Sequence, residues 1–233
     1  MLADLEKRRK KLSFKFGELI VRIIYWKPKF IYLGDKFDEK PLIFIVNHCG
    51  SNAPTRIERH FPHKFFMWGT YEMTESFKQL RHYLIHTYYH QKKKVPLFFA
   101  YIIGTIFAPF ARMFYKGMHL IPTYPDGRFV KTISTSLKAI NNDYAIVIYP
   151  EDSSHGYKDV IEYFYNGFLA LAEAAKRKGY DLPIYVSYYQ KRKRRFIIDQ
   201  PVLYSSLLTK YDSDNDKIAE ALRKRLNELK DYK

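Results

Sequence analysis

Short, continuous apolar runs punctuate this chain. Residues 42–47 run almost without a polar side chain, and residues 145–149 and 182–189 repeat the pattern. Residues 30–33, 64–68, 120–124 and 196–198 are shorter versions. Runs of this length, rich in Ile, Val and Phe, fit strands buried on both faces, as in a parallel sheet. Between them the period becomes helical. Val130, Ile133, Leu137 and Ile140 recur at helix spacing, so residues 130–141 form an amphipathic helix after a Pro125-Asp126-Gly127 turn. Residues 55–60 open a helix behind Pro54, and residues 75–90 read as another. Residues 163–178 end on Lys176-Arg177-Lys178 and then Gly179, a basic last turn with a glycine stop. Residues 212–230 close the chain as a helix, with Ser213 and Asp216 near its start and Ile218, Leu222, Leu226 and Leu229 on one side. The strand–helix–strand unit over 120–149 implies a right-handed parallel crossover. The predicted fold class is α/β: a single domain with a mostly parallel twisted central sheet flanked by helices.

Two segments depart from this pattern. Residues 1–26 read as basic helices, with Lys7-Arg8-Arg9-Lys10-Lys11 ahead of Phe14, Phe16, Leu19, Ile20, Ile23 and Ile24. Such a segment suits a helix lying among lipid headgroups or one packed on the domain with a solvated basic face. Residues 95–111 hold 17 residues with no charge. That falls short of the ~20 a spanning helix needs. Pro96, Gly104 and Pro109 interrupt the run, and Lys92–Lys94, Arg112 and Lys116 flank it. An embedded hairpin or a buried tunnel wall is expected ahead of a full span, with an ordinary core helix as the alternative. The domain plan is therefore 1–29 as membrane-associating helices and 30–233 as the α/β domain.

Composition sharpens the choice of partner. The net charge of +16 predicts attraction to a polyanion, meaning nucleic acid or an anionic lipid surface. No nucleic-acid recognition motif is evident, so lipid is favoured. The 21 Tyr and 18 Phe suit both a core and a membrane–water interface. One cysteine excludes an internal disulfide. No apolar core with a small-residue cleavage site follows the N-terminus, so no signal peptide is expected. Abundant Lys, Ile, Asn and Tyr fit an AT-rich, bacterial coding sequence.

The candidate chemistry lies where the strand over 42–47 empties into a loop. Asn47-His48 leads into the turn-forming cluster Cys49-Gly50-Ser51-Asn52. In open α/β sheets ligands bind at that edge, and histidine is the side chain best suited to act as a base near neutrality. Asn47, Ser51, Asn52 and the amides of Cys49–Ser51 are candidate donors to an oxyanion. Cys49 is a poor nucleophile partner for His48, because adjacent extended residues point apart. His82, His86 and His90 share one helical face, but no carboxylate joins them, so no metal is expected.

Asn47-His48-x-x-x-x-Ala53-Pro54 resembles the first motif of the glycerophospholipid acyltransferases, Asn-His-x-x-x-x-Asp. Tyr149-Pro150-Glu151 is similar to that family's Phe-Pro-Glu-Gly-Thr-Arg block. Gly117-Met118-His119-Leu120-Ile121-Pro122 and Leu182-Pro183-Ile184-Tyr185-Val186 resemble two further blocks, and all four stand in family order over 30–202. The resemblance implies an acyltransferase fold, with His48 as catalytic base and Glu151 helping to bind the acceptor. Asn47, Ser51, Asn52, Pro150, Asp152 and Ser153 would surround the substrate, and Arg128, near these blocks but at no motif position, is a further candidate. The family's catalytic Asp falls at Ala53, and its Gly-Thr-Arg at Asp152-Ser153-Ser154. With that Asp replaced, Glu151, Asp152, a backbone carbonyl or water would orient the histidine.

The implied reaction moves a fatty acyl group from an acyl thioester, acyl-CoA or acyl-carrier protein, to a lysophospholipid or related hydroxyl. No cofactor is implied. The expected location is peripheral or monotopic, at the cytoplasmic face of a bacterial cell membrane. The alternative is a family member that binds lipid without turnover, which Ala53 favours.

Overall fold

The structure is a computed structural model that describes residues 25–38 and 40–233. The predicted N-terminal helices fall mostly on residues 1–24, outside the described residues. Among the described residues, eight strands form one sheet: β1 (Lys29–Tyr32), β2 (Ile43–Val46), β3 (Phe65–Thr70), β4 (Leu120–Thr123), β5 (Ala145–Ile148), β6 (Pro183–Gln190), β7 (Arg195–Ile198) and β8 (Val202–Leu203). The order is β1-β7-β6-β2-β5-β3-β4, with β8 also beside β6. Neighbours pair parallel except β6 with β7 and β6 with β8. The α/β class and mostly parallel sheet are as the apolar runs predict.

Those runs are continuous because the central strands are covered on both faces. Ile43, Ile45, Ile146 and Ile148 pack into one core cluster. Leu42, Phe44, Val46, Ala145 and Val147 pack into another, on the opposite face. Burying each such side chain contributes about 1.5–3 kcal/mol.

Seven α-helices flank the sheet among the described residues: α1 (Asn52–His60), α2 (Phe77–His82), α3 (Leu97–Tyr115), α4 (Phe129–Ile140), α5 (Gly167–Lys176), α6 (Tyr204–Lys210) and α7 (Asn215–Glu228). Residues of α4 to α7, among them Ala139, Phe168, Leu207 and Leu222, join the first cluster. Ala53 and Ile57 of α1 join the second.

Four local expectations change. The helix expected over 75–90 starts at a capping box, where Gln79 N donates to Ser76 Oγ at 3.1 Å. It then widens at Tyr83 into a π-helix, Tyr83–Lys92, whose last turn closes with Lys93 N on Tyr88 O at 3.0 Å. The wider winding splits the histidine stripe. His82 and His86 lie 4.4 Å apart, ring to ring, while His90 bonds the Val95 carbonyl at 2.9 Å.

The helix expected from Tyr163 begins only at Gly167. The preceding residues pair antiparallel with the chain after β5 instead. Tyr165 N donates to Pro150 O at 2.8 Å, and Asp152 N to Tyr163 O at 3.2 Å.

The last helix is capped by Asp214, not by the predicted Ser213 box. Asp214 accepts from the amides of Asp216 and Lys217 at 3.1 Å each. Ser213 sits at φ 60° and cannot take the extended cap conformation.

The apolar segment is one continuous helix through Pro109 rather than a hairpin. Gly104 lets α3 lie tightly on the π-helix, since a Cβ there would stand 2.6 Å from Ile85 Cγ1. The other face of α3 is open: Phe98 is 71%, Ile106 59% and Phe110 60% exposed. By length and composition, α3 is long and apolar enough to cross a membrane.

Candidate active site

Strands β2 and β5 pair in register, with Ile45 opposite Ile148, so His48 and Glu151 leave the sheet side by side at its carboxyl edge. The chain then reverses through two left-handed residues, Cys49 (φ 47°) and Gly50 (φ 65°). Glycine adopts that conformation freely, whereas Cys49 carries strain there. The reversal brings the Gly50 carbonyl onto His48 Nδ1. A carbonyl only accepts, so Nδ1 carries the proton and Nε2 presents its lone pair.

The imidazole lies between two aromatic rings. Tyr157 stacks on it at 4.9 Å and 28°, and Tyr149 approaches at 4.8 Å. Burial pushes the His48 pKa down to about 4, and the positive charges of Lys92 and Lys93 push the same way. The Gly50 carbonyl opposes them. The ring is therefore neutral around pH 7.

Glu151 is 7% exposed. Neither carboxylate oxygen makes a hydrogen bond of ordinary geometry, although the His48 amide and Lys92 lie close enough to favour the charge. Burial outweighs both and pushes the pKa up to about 7. The backbone of Glu151 pairs antiparallel with that of Phe164.

The end of the π-helix supplies two cations. Lys92 Nζ donates to Ser153 Oγ at 2.8 Å and lies 5.5 Å from the Tyr157 ring centre. Lys93 Nζ lies 5.7 Å from the same ring and 5.7 Å from Tyr88. Nothing in the sequence pattern singled out either lysine as a site residue. They stand in a basic run that reads as the flank of an apolar segment.

The other expected residues divide. Ser51 is at the site, its hydroxyl 3.0 Å from the Tyr25 hydroxyl. Ser153 is there through Lys92. Pro150 is buried, and its carbonyl accepts from Tyr165 N. Asp152 is exposed and turns back on the Ser154 amide at 2.9 Å, which lowers its pKa.

Asn47 and Asn52 are not placed as oxyanion donors. Asn47 Oδ1 accepts from Tyr189 N at 2.6 Å and its amide reaches Tyr189 O at 3.4 Å, continuing the β2–β6 ladder with a side chain. Asn52 accepts from Arg56 at 3.0 Å and donates to Cys49 O at 3.4 Å. Arg56, also unforeseen, is 6% exposed and sits between the Tyr25 and Tyr189 rings, 5.0 and 5.2 Å from their centres.

Arg128 is held elsewhere. Asp126 grips its guanidinium at 2.8 Å, Glu75 lies at 3.7 Å, and the Tyr71 and Tyr124 rings flank it. Ala53 is fully buried in the first turn of α1. The Gly50 carbonyl, not a carboxylate, holds the Nδ1 proton.

The arrangement thus offers a neutral base with a fixed tautomer, a buried carboxyl that changes charge near neutrality, and two ammonium groups. No protein-family model and no curated protein sequence matches this chain. Among solved structures, the fold is similar to that of the 1-acyl-sn-glycerophosphate (LPA) acyltransferase PlsC from Thermotoga maritima. The TM-score is 0.52 at 12% identity, over 95% of this chain and 79% of that one. At that identity the likeness is one of fold.

Proposed function

We propose that this protein is a membrane-surface O-acyltransferase. It moves a fatty acyl group from an acyl thioester, carried on coenzyme A or acyl-carrier protein, to the hydroxyl of a lysophospholipid or related acceptor. The observation that carries the reading is His48, pinned through Nδ1 by the Gly50 carbonyl at the carboxyl edge of an acyltransferase-like sheet. Nε2 takes the hydroxyl proton as the oxygen attacks the thioester carbon. The C–O bond forms, the C–S bond breaks, and the imidazolium returns its proton to the departing thiolate. The amides of the Cys49–Ser51 turn serve the developing oxyanion. Glu151 helps bind the acceptor.

The open face of α3 sits in the lipid surface, without spanning it, and the basic segment over 1–29 adds attraction to anionic headgroups. The acyl thioester, from the soluble side, and the lipid acceptor then meet at a cytoplasmic membrane face. Net positive charge serves lipid here, not nucleic acid.

Ala53 favours a second reading, a lipid-binding member without turnover, since a carbonyl dipole replaces a full charge beside the histidine. One assay separates the two. Purified protein in detergent is given acyl-CoA or acyl-carrier protein with a panel of lysolipids, and products are read by lipid mass spectrometry. The first reading expects product, reduced by about 10²–10⁴-fold in a folded His48→Ala variant. Lipid binding with no product from any pairing selects the second.

A further inference from the structure

Tyr157 touches both partners of the hydrogen bond that fixes the histidine tautomer, and the acyl-transfer steps do not use it. Its ring stacks on the His48 imidazole at 4.9 Å and 28°. The same ring lies beside Gly50, with Cδ2 and Cε2 each 3.8 Å from the point where a Cβ on that residue would be. Tyr149 is the second ring against the imidazole, at 4.8 Å and 54°. Two aromatic walls and the Gly50 carbonyl therefore define the plane of the imidazole and its tautomer. They do so without the motif carboxylate, whose position is Ala53.

The loop that carries Tyr157 is strapped to the end of the π-helix. Ser153 Oγ accepts from Lys92 Nζ at 2.8 Å, and the Ser153 carbonyl accepts from the Gly156 amide at 3.1 Å. Gly156 sits at φ 103°, a conformation glycine takes freely, and passes so close to the Lys92 carbonyl that a Cβ would be 3.2 Å from it. Lys92 and Lys93 Nζ then lie 5.5 and 5.7 Å from the Tyr157 ring centre. Each of these contacts helps set where the ring sits. Burial, and then the nearby Tyr88, Glu151 and Tyr115, raise the pKa of its hydroxyl, so the phenol is uncharged at neutral pH. What faces the imidazole is a neutral aromatic ring.

We propose that Tyr157 is a positioning residue for His48: its ring clamps the imidazole onto the Gly50 carbonyl, and so keeps Nδ1 protonated and Nε2 free to act as the base. A carboxylate would orient the histidine by charge. The aromatic clamp does it by leaving the imidazole one orientation. The clamp also keeps water from the ring. The charged groups around His48 are Lys92 and Lys93 from the π-helix and Glu151 after β5, with the phenols of Tyr149 and Tyr157 packed on it and the Cys49 thiol next in the chain. Cation–π attraction to Tyr157 would favour an imidazolium, but two ammonium groups already draw on that ring. Burial therefore dominates, and removing the ring should raise the His48 pKa from about 4 toward 6.5, with the two lysines holding it below 6.5. The inference rests on the acyl-transfer reading for turnover, but not for the tautomer.

The test compares wild type with Tyr157→Ala and Tyr157→Phe in detergent. Histidine labelled with ¹⁵N reports the tautomer and the pKa of His48 directly, its signals being those lost in His48→Ala. Acyl transfer from oleoyl-CoA to lysophosphatidate gives kcat and KM against pH. Wild type is expected to show Nδ1 protonated at neutral pH and to titrate near pH 4. Tyr157→Ala is expected to mix the two tautomers and to move the titration toward 6.5. It should also lower kcat by at least about tenfold with little change in KM, as a misplaced reacting group does, and the acid limb of the kcat profile should move with the titration. Tyr157→Phe restores the tautomer, the titration and kcat, because the ring is what acts. A folded Tyr157→Ala protein with the wild-type tautomer and titration overturns the clamp, and so does a Tyr157→Phe protein that behaves like Tyr157→Ala. If nothing turns over, yet Tyr157→Ala mixes the tautomers, the acyl-transfer reading fails and the clamp stands. Should Tyr157→Ala fail to fold, Ser153→Ala decides. Loosening the strap must then move the tautomer ratio and the titration in the same direction by a smaller amount, and unmoved signals are the refuting result.

Discussion

Replacing Glu151 by Gln should stabilise the protein above neutral pH, and the size of the effect follows from the site. The carboxyl has a pKa near 4.5 when solvated and about 7 in the fold. A raised acid pKa means the folded state holds its proton where the unfolded chain has released it. Stability is then highest below about pH 4.5 and falls as pH rises to about 7, after which it levels. A shift of that size, at 1.36 kcal/mol per unit, amounts to about 3 kcal/mol. His48 works in the opposite sense. Its pKa falls from 6.5 to about 4, so its contribution is present above pH 6.5 and is lost as pH drops through about 4. Between about pH 4.5 and 6.5 the two slopes nearly cancel, which leaves the wild type flat there. Gln mimics the protonated acid and removes one slope. Urea denaturation in detergent from pH 4.5 to 8.5 measures it. The difference between Glu151→Gln and wild type should be near zero at the acid end and about 3 kcal/mol in favour of Gln at the basic end. The variant alone should gain stability with pH across the histidine range. Parallel curves for the two proteins would show that Glu151 titrates normally and that its burial does not raise its pKa.

Three further outcomes are expected. Ala53→Asp places a carboxylate in a fully buried apolar position, so it should cost several kcal/mol at pH 7, partly offset by the α1 N-terminus. Because the Gly50 carbonyl already holds Nδ1, turnover should rise less than about tenfold; an increase of orders of magnitude would show that the carbonyl orients the ring poorly. Gly104→Val drives a side chain into Ile85 and should cost about 1–3 kcal/mol, read as a lower Tm, with Ile85→Ala recovering part of it. Since the Ile85 backbone N also lies 3.2 Å from the new Cβ, full recovery would contradict the packing described. Serine at Phe98, Phe107 and Phe110 together should cut co-sedimentation with anionic vesicles by at least about tenfold, given about 1.5–3 kcal/mol per buried ring. High salt should weaken wild-type binding without abolishing it, and a variant that sediments like wild type would remove α3 from the membrane face.

The apolar runs alone determined the architecture, because a strand covered on both faces must be apolar at every position and not at alternate ones. That is why β2, β5 and β6 were legible, and with them the place where His48 leaves the sheet. The helical stripe from Val130 to Ile140 was legible for the same reason: local period reports local burial. Partner choice at the site was not, since it depends on residues far apart in sequence. Asn47 is drawn onto Tyr189, which lies 142 residues on, only because β2 and β6 share a register. The Tyr163–Tyr165 segment has helical spacing, yet it pairs with Pro150–Asp152 because those backbone groups, leaving a central strand, need partners. The π winding after Tyr83 accompanies close packing on Gly104, a contact between two elements that no single-element period records. It is this winding that carries Lys92 and Lys93 over His48. The tautomer of that histidine was likewise decided in the folded turn, where two left-handed residues bend the Gly50 carbonyl back onto Nδ1.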